Sequence, residues 1–438
     1  MNNNEKIVIT GAGVVSAIGI GKEETFLSLR NGREGVAPIH YLQTSHRECM
    51  VGEVKLSNEE LVQRLNIPAE KAMVRTSLLG ILAMKEALDE ARLSGEDLSK
   101  TAFVNGTTVG GMDMSEQFYL DYLQAASKGD LPQVEGCPVA DYIQTHDCGS
   151  STDLIADYFG QFGMTTTLST ACSSAANAFI LGARMIASGE YDRVVVGGAE
   201  SLSKFHLNGF NTLMILDTAP CRPMDESRAG LNLGEGAAYL VLERASSAQK
   251  RGVKALAELS GYGNACDAFH QTASSPEGEG AYRAMKQALE CAHCRPEEID
   301  YVNCHGTGTP NNDPSELKAM SRIFGEKLPP FSSTKGYTGH TTSASGSIEA
   351  VFCLLALQYQ CLLPNLHFTS PIYPWANPVV EAKPARLKRV LCNAFGFGGN
   401  DSSLLFSQVD EKRTYRYIIE HVHIRSSRQS DFHARTPL

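Results

Sequence analysis

Leu168-Ser-Thr-Ala-Cys172-Ser-Ser-Ala-Ala-Asn-Ala-Phe179 leaves a β-branched run, Thr165 to Ser169, and enters a stretch of small residues that continues to Ser188. A helix whose near faces are almost all Ala, Ser or Gly can only be buried, packed closely on its neighbours. A strand that turns at once into such a helix is the unit of a layered α/β fold. Cys172 stands at or just before the first helical turn. Unpaired backbone N–H groups and the helix dipole favour a thiolate there, so the sequence predicts a lowered thiol pKa and an activated nucleophile. The same N–H groups can receive an oxyanion. The plain alternative is an inert buried cysteine, and the strand-turn-helix context weighs against it.

Outward from this stretch the texture repeats. Strands are expected at Lys6 to Thr10, Thr101 to Val104, Thr165 to Ser169, Arg193 to Val196, Ala238 to Glu243, Tyr301 to Asn303, Val390 to Phe395 and Ser402 to Phe406. Helices are expected at Ala69 to Ala91, Ser173 to Ser188, Gly280 to Cys291, Pro314 to Phe324 and Ala344 to Leu357. A faint echo links the two halves. Cys172-Ser-Ser-Ala leads through a small-residue helix to a strand ending Gly197-Gly198, and His340-Thr-Thr-Ser leads through an apolar helix to a strand ending Gly398-Gly399. The 438 residues would suggest roughly three domains on length alone, whereas two copies of one layered unit account for them without a linker.

Composition narrows the function. Thirty-nine Lys+Arg against 49 Asp+Glu give a formal charge of -10, which disfavours a protein that coats nucleic acid or anionic lipid. The opening MNNNEKIVITGAG has no basic leader or long apolar core, so a cytoplasmic location is expected. Val351 to Pro364 is interrupted by Gln358, Tyr359 and Gln360 and is too short to span a bilayer. Twelve cysteines in such a chain read as reduced thiols. The single CxxC, Cys291 to Cys294, has no second pair beside it, so no metal is assigned. Gly11-Ala-Gly-Val-Val-Ser16 lacks the third glycine of a dinucleotide turn.

Three further glycine-rich loops follow strands. Asn303-Cys-His-Gly-Thr-Gly-Thr-Pro-Asn-Asn-Asp313 carries His305 at a strand's C-terminal end, where functional residues of open α/β sheets gather. Thr307 and Thr309 offer hydroxyls suited to an amide-rich, flexible substrate arm. Ser332-Ser-Thr-Lys-Gly-Tyr-Thr-Gly-His340 sets Lys335 five residues ahead of His340. Asn393-Ala-Phe-Gly-Phe-Gly-Gly-Asn400 places Phe395 and Phe397 between glycines, where either ring could swing over an apolar pocket.

These four motifs, TACSSA, HGTGTPNND, STKGYTGH and NAFGFGGN, in this order and spacing, resemble those of the β-ketoacyl-acyl-carrier-protein synthases, elongating enzymes of the thiolase superfamily. The resemblance covers about residues 5 to 408 and includes IVITGAGVVSAIG, Cys221-Arg-Pro-Met-Asp225 and Leu233-Gly-Glu-Gly-Ala237. It implies a five-layered αβαβα fold of two similar halves. Residues 1–255 would carry the nucleophile, 256–409 the two histidines, and 410–438 would form an extension. It implies a decarboxylative Claisen condensation on substrates held by the phosphopantetheine of acyl carrier protein, with no metal or organic cofactor, by a homodimer or a heterodimer with a related subunit.

By that resemblance Cys172 accepts the acyl chain, and the N–H groups of Cys172 and Phe397 form the oxyanion hole. His305 and His340 donate to the enolate left by decarboxylation, and Lys335, ion-paired with Glu316, orients them. Thr307 and Thr309 bind the carrier's arm, Phe395 and Gly396 line the substrate site, and Phe397 gates it. Carrier proteins are acidic, and Lys71 and Arg75 on the early helix are the candidates for a basic docking patch. Asn400-Asp401 stands where Thr-Asn is common, Gly336 replaces a larger residue, and Ser343 and Ser345 replace Gly and Ala. None of these removes a catalytic group, and they leave open fatty-acid, polyene and polyketide chains. A non-catalytic partner of the chain-length-factor kind would lack the nucleophile. A degradative thiolase would carry a second reactive cysteine, for which Cys392 is poorly placed. In the extension, Tyr415 to Arg425 alternates like an edge strand, with His421 and His423 read as solvated.

Overall fold

The computed structural model describes residues 5–68, 70–129, 133–134, 137–325 and 327–409. The expected extension 410–438, with its edge strand, His421 and His423, lies outside them. Ten strands carry the architecture. The first five are β1 (Ile7–Ser16), β2 (Ala102–Gly106), β3 (Met164–Leu168), β4 (Arg193–Glu200) and β5 (Gly236–Arg244). The second five are β6 (Ala257–Cys266), β7 (Tyr301–Asn303), β8 (Phe331–Ser332), β9 (Arg389–Gly396) and β10 (Asn400–Ser407). In space they run β3-β2-β4-β5-β1 and, continuing, β6-β10-β9-β7-β8. Counted from its own first strand, each half therefore has the same order, third-second-fourth-fifth-first. The senses repeat too: β2 is parallel to β3 and β4 as β7 is to β8 and β9, while the β4/β5, β5/β1, β9/β10 and β10/β6 pairs are antiparallel. The weak sequence echo is a complete topological repeat.

Eight helices matter for the site: α1 (Arg75–Ala91), α2 (Met112–Lys128), α3 (Cys148–Phe159), α4 (Ser174–Ser188), α5 (Lys204–Thr212), α6 (Glu279–Cys291), α7 (Asn312–Phe324) and α8 (Ser345–Tyr359). Strand periodicity of two sends alternate side chains to opposite faces, and the cores divide accordingly. Val194, Val196, Leu240 and Leu242 join Leu404 and Phe406 in a central core with α4 and α8. Val195, Tyr239 and Val241 face α1 and α3, and Val302, Leu391 and Leu405 face α6 and α7. The result is helix, sheet, helix, sheet, helix. Every residue of α8 from Ser345 to Leu357 is buried. At about 1.5–3 kcal/mol for each fully buried large apolar side chain, Ile348, Val351, Phe352, Leu354 and Leu355 make this helix the main anchor of the centre.

Glycine spacing sets the outer layers. A Cβ on Gly11 or Gly13 of β1 would lie 2.1 and 2.0 Å from the carbonyl oxygens of Ala87 and Ala83 on α1. The second half repeats this, with Gly261 and Gly263 of β6 at 2.2 and 2.1 Å from Ala288 and Ala284 of α6. The early Gly-Ala-Gly thus serves close helix-on-strand packing. Two sequence expectations need correction. The early helix begins at Arg75 and not at Ala69, because Val74 is extended and forms the N-cap. Strand β6, AELSGYGNAC, escapes a search for Val-rich runs because only alternate residues are buried. Among the described residues, no helix is long and apolar enough to cross a membrane.

Candidate active site

Strand β3 ends at Leu168 and α4 starts at Ser174, so the chain reverses within five residues. Ala171 takes φ +52°, a left-handed conformation that costs a non-glycine residue about 1–3 kcal/mol. Ser174 holds it: the Thr170 N–H donates to Ser174 Oγ (2.9 Å), whose hydroxyl donates to the Ala171 carbonyl (2.6 Å). This elbow sets Cys172 against a cavity of about 200 Å3 that His305, His340, Phe395 and Phe397 also line. The expected fall in thiol pKa is reversed. Burial pushes Cys172 up to about 12, against the Lys335 charge and the backbone N–H groups of Phe397 and Cys172, which all pull it down. The backbone N–H groups of Cys172 and Phe397 favour the thiolate but do not offset desolvation.

The second half delivers the imidazoles. His305 follows β7 on its glycine-hinged loop, and His340 is tied by its backbone between Asn232 O (2.7 Å) and Gly234 N (2.9 Å). The two rings meet edge to face, 5.3 Å between centroids. Burial first, then the Lys335 charge, holds both well below the ordinary histidine range, so both are neutral. Lys335 Nζ reaches His305 O (2.6 Å) and His305 Nδ1 (3.4 Å). An ammonium has only hydrogens to give, so Nδ1 of His305 accepts and its Nε2 carries the proton.

The ion-pair partner of Lys335 is Glu349, at 2.6 Å, and not Glu316. Burial raises the Glu349 carboxyl to about 7 although Lys335 pulls it down. Glu316 instead accepts from the backbone N–H of His305 (2.9 Å) and Gly306 (2.8 Å) and from Asn393 (2.9 Å), pinning the histidine loop to β9. Glu349 sits in the apolar run of α8. A lone carboxylate inside such a helix needs a buried cation, and that was the signal available in the sequence.

Thr307 and Thr309 line the cavity with hydroxyls 2.8 Å apart. Gly308 between them donates to Asp313, and Arg228 donates to Thr309 O. Phe395 is buried with its ring 5.6 Å from His305. Half-buried Phe397 stacks on Phe210 (5.7 Å, 23°), and Gly396 lies between the two rings' backbones on the cavity wall. Arg75 is not a surface residue: it is buried and paired with Glu235 at 2.6 Å, which removes it from any docking patch. Lys71 lies half-buried in the turn ahead of α1. Sequence reasoning also missed Glu200, a buried carboxylate at the end of β4. It accepts from Thr107, Val109 N–H and Ser343, and so ties the nucleophile's half to the His340 loop.

A buried thiol facing two neutral imidazoles and converging N–H groups on a doubled αβ scaffold defines a condensing acyltransferase of the thiolase type. The family models described as β-ketoacyl synthase, N-terminal domain, and β-ketoacyl synthase, C-terminal domain, match residues 4–248 and 256–369. The chain belongs to the β-ketoacyl synthase family. The 3-oxoacyl-[acyl-carrier-protein] synthase 2 of Staphylococcus aureus (strain N315) is 34% identical over 424 residues, covering 94% of this chain and 100% of that protein. A solved structure, the ishigamide ketosynthase/chain length factor, superposes with a TM-score of 0.83 at 30% identity, covering 93% of this chain and 100% of that chain. A β-ketoacyl synthase from Burkholderia phymatum STM815 gives 0.80 at 30% identity, over 93% and 100%.

Proposed function

We propose that the protein extends an acyl chain by decarboxylative condensation with a malonyl group on acyl carrier protein, in fatty-acid, polyene or polyketide synthesis. Cys172 Sγ attacks the carrier-bound thioester, and the carrier's sulfur leaves with the thiol proton. The malonyl carboxylate then departs as carbon dioxide, and the enolate carbon bonds to the acyl carbonyl while the Cys172 sulfur leaves. The Cys172 and Phe397 N–H groups receive the oxyanion. His305 and His340 donate to the enolate oxygen, and Lys335 fixes the field. Thr307 and Thr309 hold the arm, and Phe397 gates the chain.

The observation that carries this reading is the single cavity joining Cys172 to both histidines. Neutral imidazoles donate to a developing oxyanion without protonating the carbanion. The reading is cytoplasmic and needs no metal or organic cofactor. It takes acyl carrier protein as partner, for which Lys71 remains the docking candidate. It also takes a second copy of the chain, which is supported by β3 at the end of the sheet and by Tyr119, Leu120 and Leu123 of α2, exposed by 51, 68 and 45%. Intact mass after mixing with acyl carrier substrates tests it: an acyl adduct forms on the wild type and is absent from Cys172→Ala. No adduct, or one that survives that substitution, overturns the assignment.

A further inference from the structure

The five residues after His340 hold two serines where the resembled family commonly has glycine and alanine, and both hydroxyls are engaged. Ser343 donates to Glu200. Thr342 beside it takes φ +43°, unusual for a β-branched residue, and its hydroxyl is 3.4 Å from the same carboxylate. This tight turn folds the start of α8 back onto the imidazole. Ser345 Oγ lies 2.9 Å from His340 Nδ1 and 3.1 Å from Thr341 Oγ1. His340, Thr341 and Ser345 are all buried.

The direction of this chain follows from counting hydrogens. Each hydroxyl has one to give, and buried polar hydrogens are used. If Nδ1–H donated to Ser345, Ser345 would donate to Thr341, and the Thr341 hydrogen would need an acceptor. Among the described residues Thr341 Oγ1 makes no second hydrogen bond. In the opposite sense Thr341 donates to Ser345 and Ser345 donates to Nδ1, and the one hydrogen left over is on Nε2 of a ring that lines the cavity. We propose that Thr341 and Ser345 form a hydroxyl relay that fixes His340 in the tautomer with Nδ1 as acceptor and Nε2–H as the remaining donor, available to the cavity. Ser345 is then a positioning residue. It complements Lys335, which imposes the same tautomer on His305 by a different means, an ammonium in place of a hydroxyl. The inference rests on reading His340 as a donor to the enolate oxygen.

The experiment pairs a direct readout with a kinetic one. In protein carrying 15N-labelled histidine, the His340 ring of the wild type is expected to show an unprotonated Nδ1 and a protonated Nε2 at pH 7. Ser345→Ala is expected to mix in the other tautomer. It should slow carbon dioxide release from malonyl carrier protein by about 10- to 100-fold, below the roughly 10^4-fold lost when a catalytic histidine is held in the wrong tautomer. Cys172 acylation, which does not use His340, is expected to stay within twofold. Ser345→Thr, which keeps the hydroxyl, is expected to restore both the tautomer and the rate, and Thr341→Val to give an intermediate loss. A protonated Nδ1 in the wild type overturns the relay, as does Ser345→Ala decarboxylating within twofold of wild type. Failure of the wild type to acylate at all would instead overturn the reading of Cys172, and the nitrogen spectrum would still decide the relay.

Discussion

The β3–α4 and β8–α8 junctions occupy the same place in the two halves, yet they deliver opposite kinds of chemistry. The first is five residues long and offers a neutral thiol with backbone N–H groups around it. The second spans residues 333–344 and carries Lys335 and His340, with a buried cation that only a carboxylate from α8 itself makes tolerable. A short connection fixes one atom by backbone geometry, whereas a long one fixes several side chains and needs a charge pair to hold them. The scaffold supplies position, and loop length decides what kind of group is positioned.

The comparison breaks most decisively at its nucleophile. Cys172→Ala is expected to lower ketoacyl product formation by about 10^3-fold or more with an unchanged unfolding midpoint, and residual condensation above that level would move the nucleophile elsewhere. Next in size is the thiol itself. With its pKa pushed up to about 12, the thiolate fraction rises tenfold per pH unit throughout the range below that value. Alkylation of Cys172 by iodoacetamide should therefore accelerate by about 1000-fold from pH 7 to pH 10, and a plateau near neutrality would show an activated resting thiolate. At the second junction, His305→Ala and His340→Ala should each acylate normally and lose about 10^2–10^3-fold in decarboxylation, read by release of labelled carbon dioxide. The smallest effect sharpens the assignment of the ion pair. Glu349→Ala strands the Lys335 charge and should cost about 3–5 kcal/mol in urea unfolding. Glu316→Gln, which loses charge-assisted hydrogen bonds only, should cost about 1.5–3 kcal/mol, and the reverse order would restore Glu316 as the partner.

Much of this was legible in the sequence because it was local. The turn at Cys172, the loop at His305 and the Phe395–Phe397 wall each stand at the end of a short strand that local sequence marks, and the structure gathers all three at one cavity. What was not legible depended on depth or on distant pairing. Burial reverses the effect of the helix start on Cys172. It also turns Arg75 from a docking candidate into the partner of Glu235, which lies 160 positions away. Nothing in spacing says that Lys335 meets a carboxylate 14 positions on in place of one 19 before it. Strand β6 was missed because a half-polar alternation lacks the unbroken apolar run that marks its neighbours β1 and β10.

The paired glycines of β1 and β6 bear on how such chains are read for function. In a saturation-mutagenesis map Gly11, Gly13, Gly261 and Gly263 would tolerate change no better than Cys172, since any side chain meets a helix carbonyl near 2 Å. They touch no substrate. A scan for intolerant positions would therefore outline the seam where each outer helix is welded to its sheet as sharply as it outlines the catalytic cavity. Only an assay that separates loss of fold from loss of turnover would tell the two maps apart.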